Sequence, residues 1–262
     1  MQENKMRQLL EKDSPTISTR LWSGWGVFTE MVALTGNFDY VELIAEYAPL
    51  TEKDFENVAM AAELHNIGSM LKVDYQNHGY VAQKAVGAGF QSILFADHHT
   101  AEEVRETVRI MKADQLGEGR FGYPNRRFIG GRTHLSQKDH AKRVNDVVLA
   151  FMIEKVDAMN EIEEICSIPG VDMVQFGPSD YCLSLGKNRE EYVEEYKAAE
   201  RKMIKTALAH GVHPRCEIQT PEEAQYYLEL GVRHFSLGDQ FKVMQKYLKE
   251  EGSRLRGQLA EI

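Results

Sequence analysis

The chain has 262 residues, 43% of them hydrophobic, enough to bury the core of one large domain or two small ones. Lys and Arg total 31 against 40 Asp and Glu, so the net charge is −9, which argues against general nucleic-acid binding through a basic surface. No apolar run approaches the ~20 residues that span a bilayer, and the polar start MQENKMRQLLEKDSPT lacks the apolar segment of a secretory signal. Three widely spaced cysteines, Cys166, Cys182 and Cys216, form no CxxC and predict a reducing, cytoplasmic setting rather than a disulfide framework.

Short apolar or β-branched runs alternate with charged, Ala-rich stretches along the chain. Runs at 21–28 and 40–45 predict strands, and a helix is predicted over 52–65. Strands at 69–74 and 91–96 follow, then a helix over 101–113 opened by Thr100 and Glu103 in capping-box spacing. Strands at 147–154 and 173–177 precede a helix over 190–210 and a strand at 212–218. A helix over 221–230, with Pro221 in its first turn, leads to a last strand at 234–237. Eight strand–helix units without a linker predict a single-domain (β/α)8 TIM barrel over residues 1–262. An open doubly wound sheet is the alternative, because counting units does not show closure.

The segment 115–146 breaks this rhythm and is predicted to be a long loop insertion: a lid, a binding loop or an interface. Its Gly117, Gly119 and Gly122 match GxGxxG, without the preceding strand and following helix that a dinucleotide site requires. Its Arg120, Arg126, Arg127 and Arg132 could clamp a carboxylate or phosphate, or face solvent or a second subunit.

Three acidic or basic groups stand at predicted strand ends, where barrel sites form. Asp97-His98-His99 closes the fourth strand, and since adjacent side chains diverge, at most one histidine, His98 or His99, faces the site. A hydrogen-bonding role at the helix start is the alternative. Glu154 ends one strand and Asp180 follows the next, within Phe176-Gly177-Pro178-Ser179-Asp180. Two carboxylates side by side with waters suit a hard cation such as Mg²⁺ or Mn²⁺, unless both are surface acids. The turn at Gly177 leaves the N–H groups of Ser179 and Asp180 able to meet an anion.

Glu154, the stretch 160–165, Ile168-Pro169-Gly170-Val171-Asp172, Gly177-Pro178-Ser179-Asp180 and Leu185-Gly186 closely resemble the HpcH/HpaI aldolase family, over nearly the whole chain. The resemblance implies a (β/α)8 barrel assembled as a homo-oligomer, a hexamer, with sites near subunit contacts. It implies that Glu154 and Asp180 bind a divalent metal, Mg²⁺ or Mn²⁺ ahead of Co²⁺ or Zn²⁺. A 2-oxo acid such as pyruvate would chelate that metal, its carboxylate held by Gly177, Ser179 and Asp180. The implied reaction is aldol cleavage of a 4-hydroxy-2-oxo acid to a 2-oxo acid and an aldehyde, through an enolate.

Departures from the family pattern bear on proton transfer. The second strand of the pattern ends Asp-x-Glu-His, whereas this chain has Ile44, Glu46 and Tyr47. Lys72 replaces an arginine, Met152 a glutamine and Ala85 an acidic residue. Lys72 keeps the charge without the guanidinium fork and is expected to stabilise the enolate oxygen; a Schiff base there is disfavoured beside a metal. A tyrosine titrating near 10 is a poor base, so either Tyr47 or His98 is expected to take the histidine's place, with Glu46 orienting metal-bound water. These changes leave open two alternatives: related enolate chemistry such as 2-oxo acid decarboxylation, and a non-catalytic oligomeric homologue.

Overall fold

A computed structural model describes residues 3–123, 127–130 and 135–260. Eight parallel strands close into a barrel in chain order. They are β1 (Thr16–Leu21), β2 (Tyr40–Ile44), β3 (Gly68–Val73), β4 (Ser92–Phe95), β5 (Val148–Ile153), β6 (Met173–Phe176), β7 (His213–Ile218) and β8 (His234–Asp239). Closure is carried by β1 against β8, in register from Thr16 opposite His234, which settles the barrel against the open sheet. The capping box at Thr100 and Glu103 forms as read, as does one at Thr220 and Glu223.

The first strand lies earlier than the run at 21–28. The residues Gly26–Leu34 form a helix instead, and Trp25 at its start is largely exposed. The true β1 reads as polar because Thr16 and Ser18 point into the lumen, where Thr16 Oγ1 meets His234 Nδ1 at 3.0 Å and Ser18 Oγ donates to the Phe235 carbonyl at 3.2 Å. A lumen lined with hydroxyls removes the apolar alternation that marks a half-buried strand.

Two separate cores follow from the closed sheet. The larger fills the layer between barrel and helices, with Val41, Leu71, Ile93 and Phe151 among its strand residues. The smaller fills the lumen with Met70, Leu94, Ala150, Met152 and Met173, and the N-terminal helix Lys5–Glu11 plugs its lower end with Met6 and Leu10. Arg7 locks that plug, donating through both terminal nitrogens to Asp172 at 2.6 and 2.7 Å.

The long segment emerges between the helix Ala101–Met111 and β5, so it lies at the rim where strands begin. Phe128 and Leu135 border a hollow with Asn4, Arg7, Phe90 and Val147 at that rim. An αβ connection leaves the barrel opposite the strand ends, so the described part of the segment is no lid over this chain's own carboxylates. Arg127 pairs with Glu63 at 2.8 Å rather than waiting for an anion, and Arg120 is exposed. Arg126 and Arg132 lie outside the described residues.

His234 sets a pH limit on the fold. Burial, ahead of the neighbouring His213, pushes its imidazole down to about 4 from an ordinary 6.5. Between those values the unfolded chain binds the proton and the folded chain does not, so stability falls as pH drops through that window. This residue is expected to remove about 2 kcal/mol between pH 7 and pH 5. Urea unfolding at both pH values should show a smaller loss in His234→Gln than in the natural chain.

Candidate active site

The ends of β5 and β6 bring the two sequence-read carboxylates to one rim. Ile153 pairs with Phe176, and the Gly177 amide extends the ladder to the Ile153 carbonyl at 3.2 Å. Glu154 and Gly177, each one step further, are therefore side by side. A Cβ on residue 177 would stand 2.4 Å from Glu154 Oε2 and 2.7 Å from its Cβ. Glycine is required there by space, not by backbone conformation, since its φ is an ordinary −108°.

Glu154 is only 1% exposed. Its Oε1 accepts from the Asp97 amide at 2.9 Å, while Oε2 is buried with no hydrogen-bond partner among the described residues. Burial pushes its pKa up to about 7, against the opposing pull of Lys72. A buried carboxylate oxygen without a hydrogen-bond donor, beside further acidic oxygens, is a donor a hard cation takes, so the residues fit a divalent metal.

Lys72 comes from the end of β3, beside Ile44 of β2, and its ammonium pairs with Glu46. Burial works to lower its pKa, but Glu154 and Glu46 outweigh burial and hold it above the ordinary value. A lysine kept protonated is a fixed positive charge and not a Schiff-base nucleophile. Burial raises Glu46 despite Lys72.

Tyr47 and Asp97 join across the rim. The tyrosine hydroxyl donates to Asp97 Oδ2 at 2.7 Å, and Lys155 Nζ stands 2.5 Å from Asp97 Oδ1. Both residues have left-handed backbones, φ 59° and 63°, uncommon for a tyrosine and better tolerated by an aspartate. Tyr47 is 78% exposed, and its bond to Asp97, ahead of burial, raises its pKa. It is therefore a hydrogen-bond donor at neutral pH and a poor base.

Asp180 lies in the first turn of the helix Pro178–Ser184 and is close enough to raise the pKa values of Glu154, Glu46 and Tyr47. Ser179 accepts a hydrogen bond from Arg189 at 3.3 Å. Lys72, Glu154, Gly177, Ser179, Asp180 and Arg189 all border one cavity of about 440 Å³.

His98 is not part of this constellation. It is buried behind the barrel wall, its Nδ1 3.1 Å from the Ala96 carbonyl and its Nε2 2.7 Å from Thr107 Oγ1. Burial takes its pKa down to about 4, and its ring packs edge-on against Phe95 and Phe151. The turn at Asp97 swings the chain away from the rim, so the histidine expected as a base is a packed, neutral side chain. His99 is exposed and lies 3.4 Å from Asp157, away from the cluster.

Asp97 is the acid that sequence reasoning passed over. Oxygens of Glu46, Asp97 and Glu154 lie within 4.8 Å of one another. Its signal in the sequence is its place at the end of the fourth strand, directly before His98 and His99. Arg215 was missed as well. It is fully buried in the lumen, with Nε donating to Tyr40 Oη at 2.7 Å, Nη2 to Ser18 Oγ at 2.9 Å, and further bonds to Glu42 and Gln175.

Gly177→Ala isolates the role of the Glu154 carboxylate. The methyl group displaces that carboxylate while the ladder and the helix after it can persist. Divalent-cation affinity, read by calorimetric titration, is expected to fall about tenfold or more. Thermal stability without metal should change far less than that.

A sequence profile of the HpcH/HpaI aldolase/citrate lyase family matches residues 32–244. A hydroxypyruvate/pyruvate aldolase of Delftia acidovorans is 25% identical, covering 90% of this chain and 86% of its own. A 2-dehydro-3,6-dideoxy-6-sulfogluconate aldolase of Pseudomonas putida is 24% identical, covering 96% of this chain and 97% of its own. The crystal structure of an HpcH/HpaI aldolase from Desulfitobacterium hafniense superposes with a TM-score of 0.86 at 20% identity, covering 96% of each chain. The chain belongs to the HpcH/HpaI aldolase/citrate lyase family and is an enzyme of the aldolase and lyase type.

Proposed function

We propose that the chain is a divalent-metal-dependent carbon–carbon lyase acting on a 4-hydroxy-2-oxo acid, releasing a pyruvate-type 2-oxo acid and an aldehyde. The observation that carries this reading is the buried, unpartnered Oε2 of Glu154 at the strand-end rim. Glu154 and Asp180 would hold the metal, with Mg²⁺ or Mn²⁺ favoured by an all-oxygen donor set over Co²⁺ or Zn²⁺. Bound there, the metal supplies Lewis acidity to the oxygens of the 2-oxo acid.

The chain's own residues divide the remaining work. The turn after Gly177 presents the backbone N–H groups of Ser179 and Asp180 to the substrate carboxylate. Lys72, held charged by Glu154 and Glu46, places a positive charge where negative charge develops as the C3–C4 bond breaks. The electron pair of that bond stays on the 2-oxo acid half as its enolate, later protonated at C3. Tyr47 orients the 4-hydroxyl, whose proton leaves to water at this open rim while the C4 fragment becomes the aldehyde.

Self-association accompanies this reading. The last helix, Gln240–Leu259, has no buried residue and leaves Phe241, Val243, Tyr247 and Leu248 exposed. A homo-oligomer, a hexamer by family resemblance, would cover that apolar surface. Among the described residues no helix is long and apolar enough to cross a membrane, and all three cysteines are free and buried, which supports a cytoplasmic setting. Sedimentation velocity is expected to show a species several times the 29.9 kDa chain mass, and a monomer at micromolar concentration overturns the assembly.

Proton exchange tests the chemistry without knowledge of the aldehyde. In D2O with Mg²⁺, Mn²⁺ or Co²⁺, the protein should wash deuterium into the methyl group of pyruvate, followed by NMR. Glu154→Ala or Asp180→Ala should reduce the rate by at least about a hundredfold. No exchange with any of the three metals overturns the pyruvate-enolate reading.

A further inference from the structure

Three carboxylates converge at the rim, and two of them already carry an ammonium. Lys72 sits on Glu46 and Lys155 sits on Asp97, the latter at 2.5 Å. Of the three, Glu154 has a fully buried oxygen, Oε2, with no hydrogen-bond partner among the described residues, and one oxygen from each of the three lies within 4.8 Å of the others. Asp97 is held from more than one side. Its amide donates to Glu154, its Oδ2 holds the Tyr47 hydroxyl, and its backbone is set at φ 63°. Lys155 is held differently: its side chain is 15% exposed, and the ion pair with Asp97 is its described polar contact, at the end of a four-carbon stem.

We propose that Asp97 is a further carboxylate ligand of the divalent-cation site and that Lys155 is a built-in competitor for it. The inference rests on the metal reading of Glu154 given above and adds to it a residue pair outside the Glu154–Asp180 motif. An ammonium and a divalent cation repel one another, and both cannot occupy the space in front of one aspartate. The carboxylate, tied to Tyr47 as well, stays, and the lysine, whose described polar contact is the one ion pair, leaves. Cation binding therefore includes the release of Lys155 to solvent, and affinity is set by the difference between two cations for the same oxygens. The ammonium in turn explains how converging acids tolerate burial before a cation arrives.

The test uses Mn²⁺ alone, titrated by calorimetry into full-length, chelator-stripped protein at fixed pH and salt. Lys155→Met should tighten Mn²⁺ binding about tenfold, and Asp97→Asn should weaken it about tenfold. Lys155→Arg keeps the charge and should stay within about threefold of the natural chain. Without metal, Lys155→Met should melt at a lower temperature than the natural chain, yet gain more on addition of Mn²⁺. Unchanged affinity in Asp97→Asn overturns the proposal, as does unchanged or weaker binding in Lys155→Met; if Asp97→Asn does not fold, the lysine variant decides alone. Undiminished Mn²⁺ binding in Glu154→Gln is a separate outcome: it removes the metal reading of Glu154 itself, and with it the basis of this inference.

Discussion

The site is organised by a single close approach. Because residue 177 has no side chain, the Glu154 carboxylate folds down against the backbone between β5 and β6 and leaves water behind. A carboxylate so placed costs several kcal/mol unless charge or hydrogen bonds compensate it. Each neighbour can be understood as part of that compensation. The Asp97 amide takes one oxygen, Lys72 supplies positive charge from β3, and Lys155 neutralises the aspartate that the amide belongs to. Among the described residues nothing partners the second oxygen. In an interior where most buried polar atoms are paired, that omission points outward, to something the site receives.

The floor beneath the rim follows a different logic. Arg215 rises from β7 into the lumen and ties together Ser18 of β1, Tyr40 and Glu42 of β2 and Gln175 of β6. A buried pair such as Arg215 with Glu42 adds little net stability over apolar packing, but removing one partner strands the other. Its effect is positional: four strands that carry or border the site share one guanidinium. The opposite half of the lumen, from β3 to β5, is filled by Met70, Leu94, Ala150 and Met152. The cavity opens on the polar half, bordered by Arg20, Arg215 and Glu217 as well as Glu154.

This division explains what could be read in the residues. Strands buried on both faces, such as β4 and β5, are continuous apolar runs and were legible as such. β1 was misplaced because its lumen face is Thr16 and Ser18, while exposed aromatics just beyond it imitated a strand. Glu154 directly after β5 and Asp180 in the first helical turn after β6 stand out in the sequence by place, and the structure sets both on the wall of one cavity. His98 was not legible, because its direction is decided by the left-handed turn at Asp97, and any residue before it would have looked equally ordinary. The same turn carries the Asp97 side chain to the rim. Arg215 gave no warning either, since a charged residue inside a strand reads as solvent-facing until the barrel closes around it.

The residues around Glu154 are coupled to one another. Tyr47 reaches Asp97; Asp97 holds Lys155; Lys155 follows Glu154 directly in sequence, and Glu154 accepts the Asp97 amide. Lys72 pairs with Glu46, whose neighbour in sequence is Tyr47. The hydrogen bonds and ion pairs of this rim therefore run from Lys72 and Glu46 on one side to Tyr47, Asp97 and Lys155 on the other, with Glu154 between them. A change at any of these residues alters the charge felt by the buried carboxylate, because each either acts on it directly or bonds to a group that does. The glycine at 177 makes the room for Glu154, and the two paired lysines balance the acidic cluster that results.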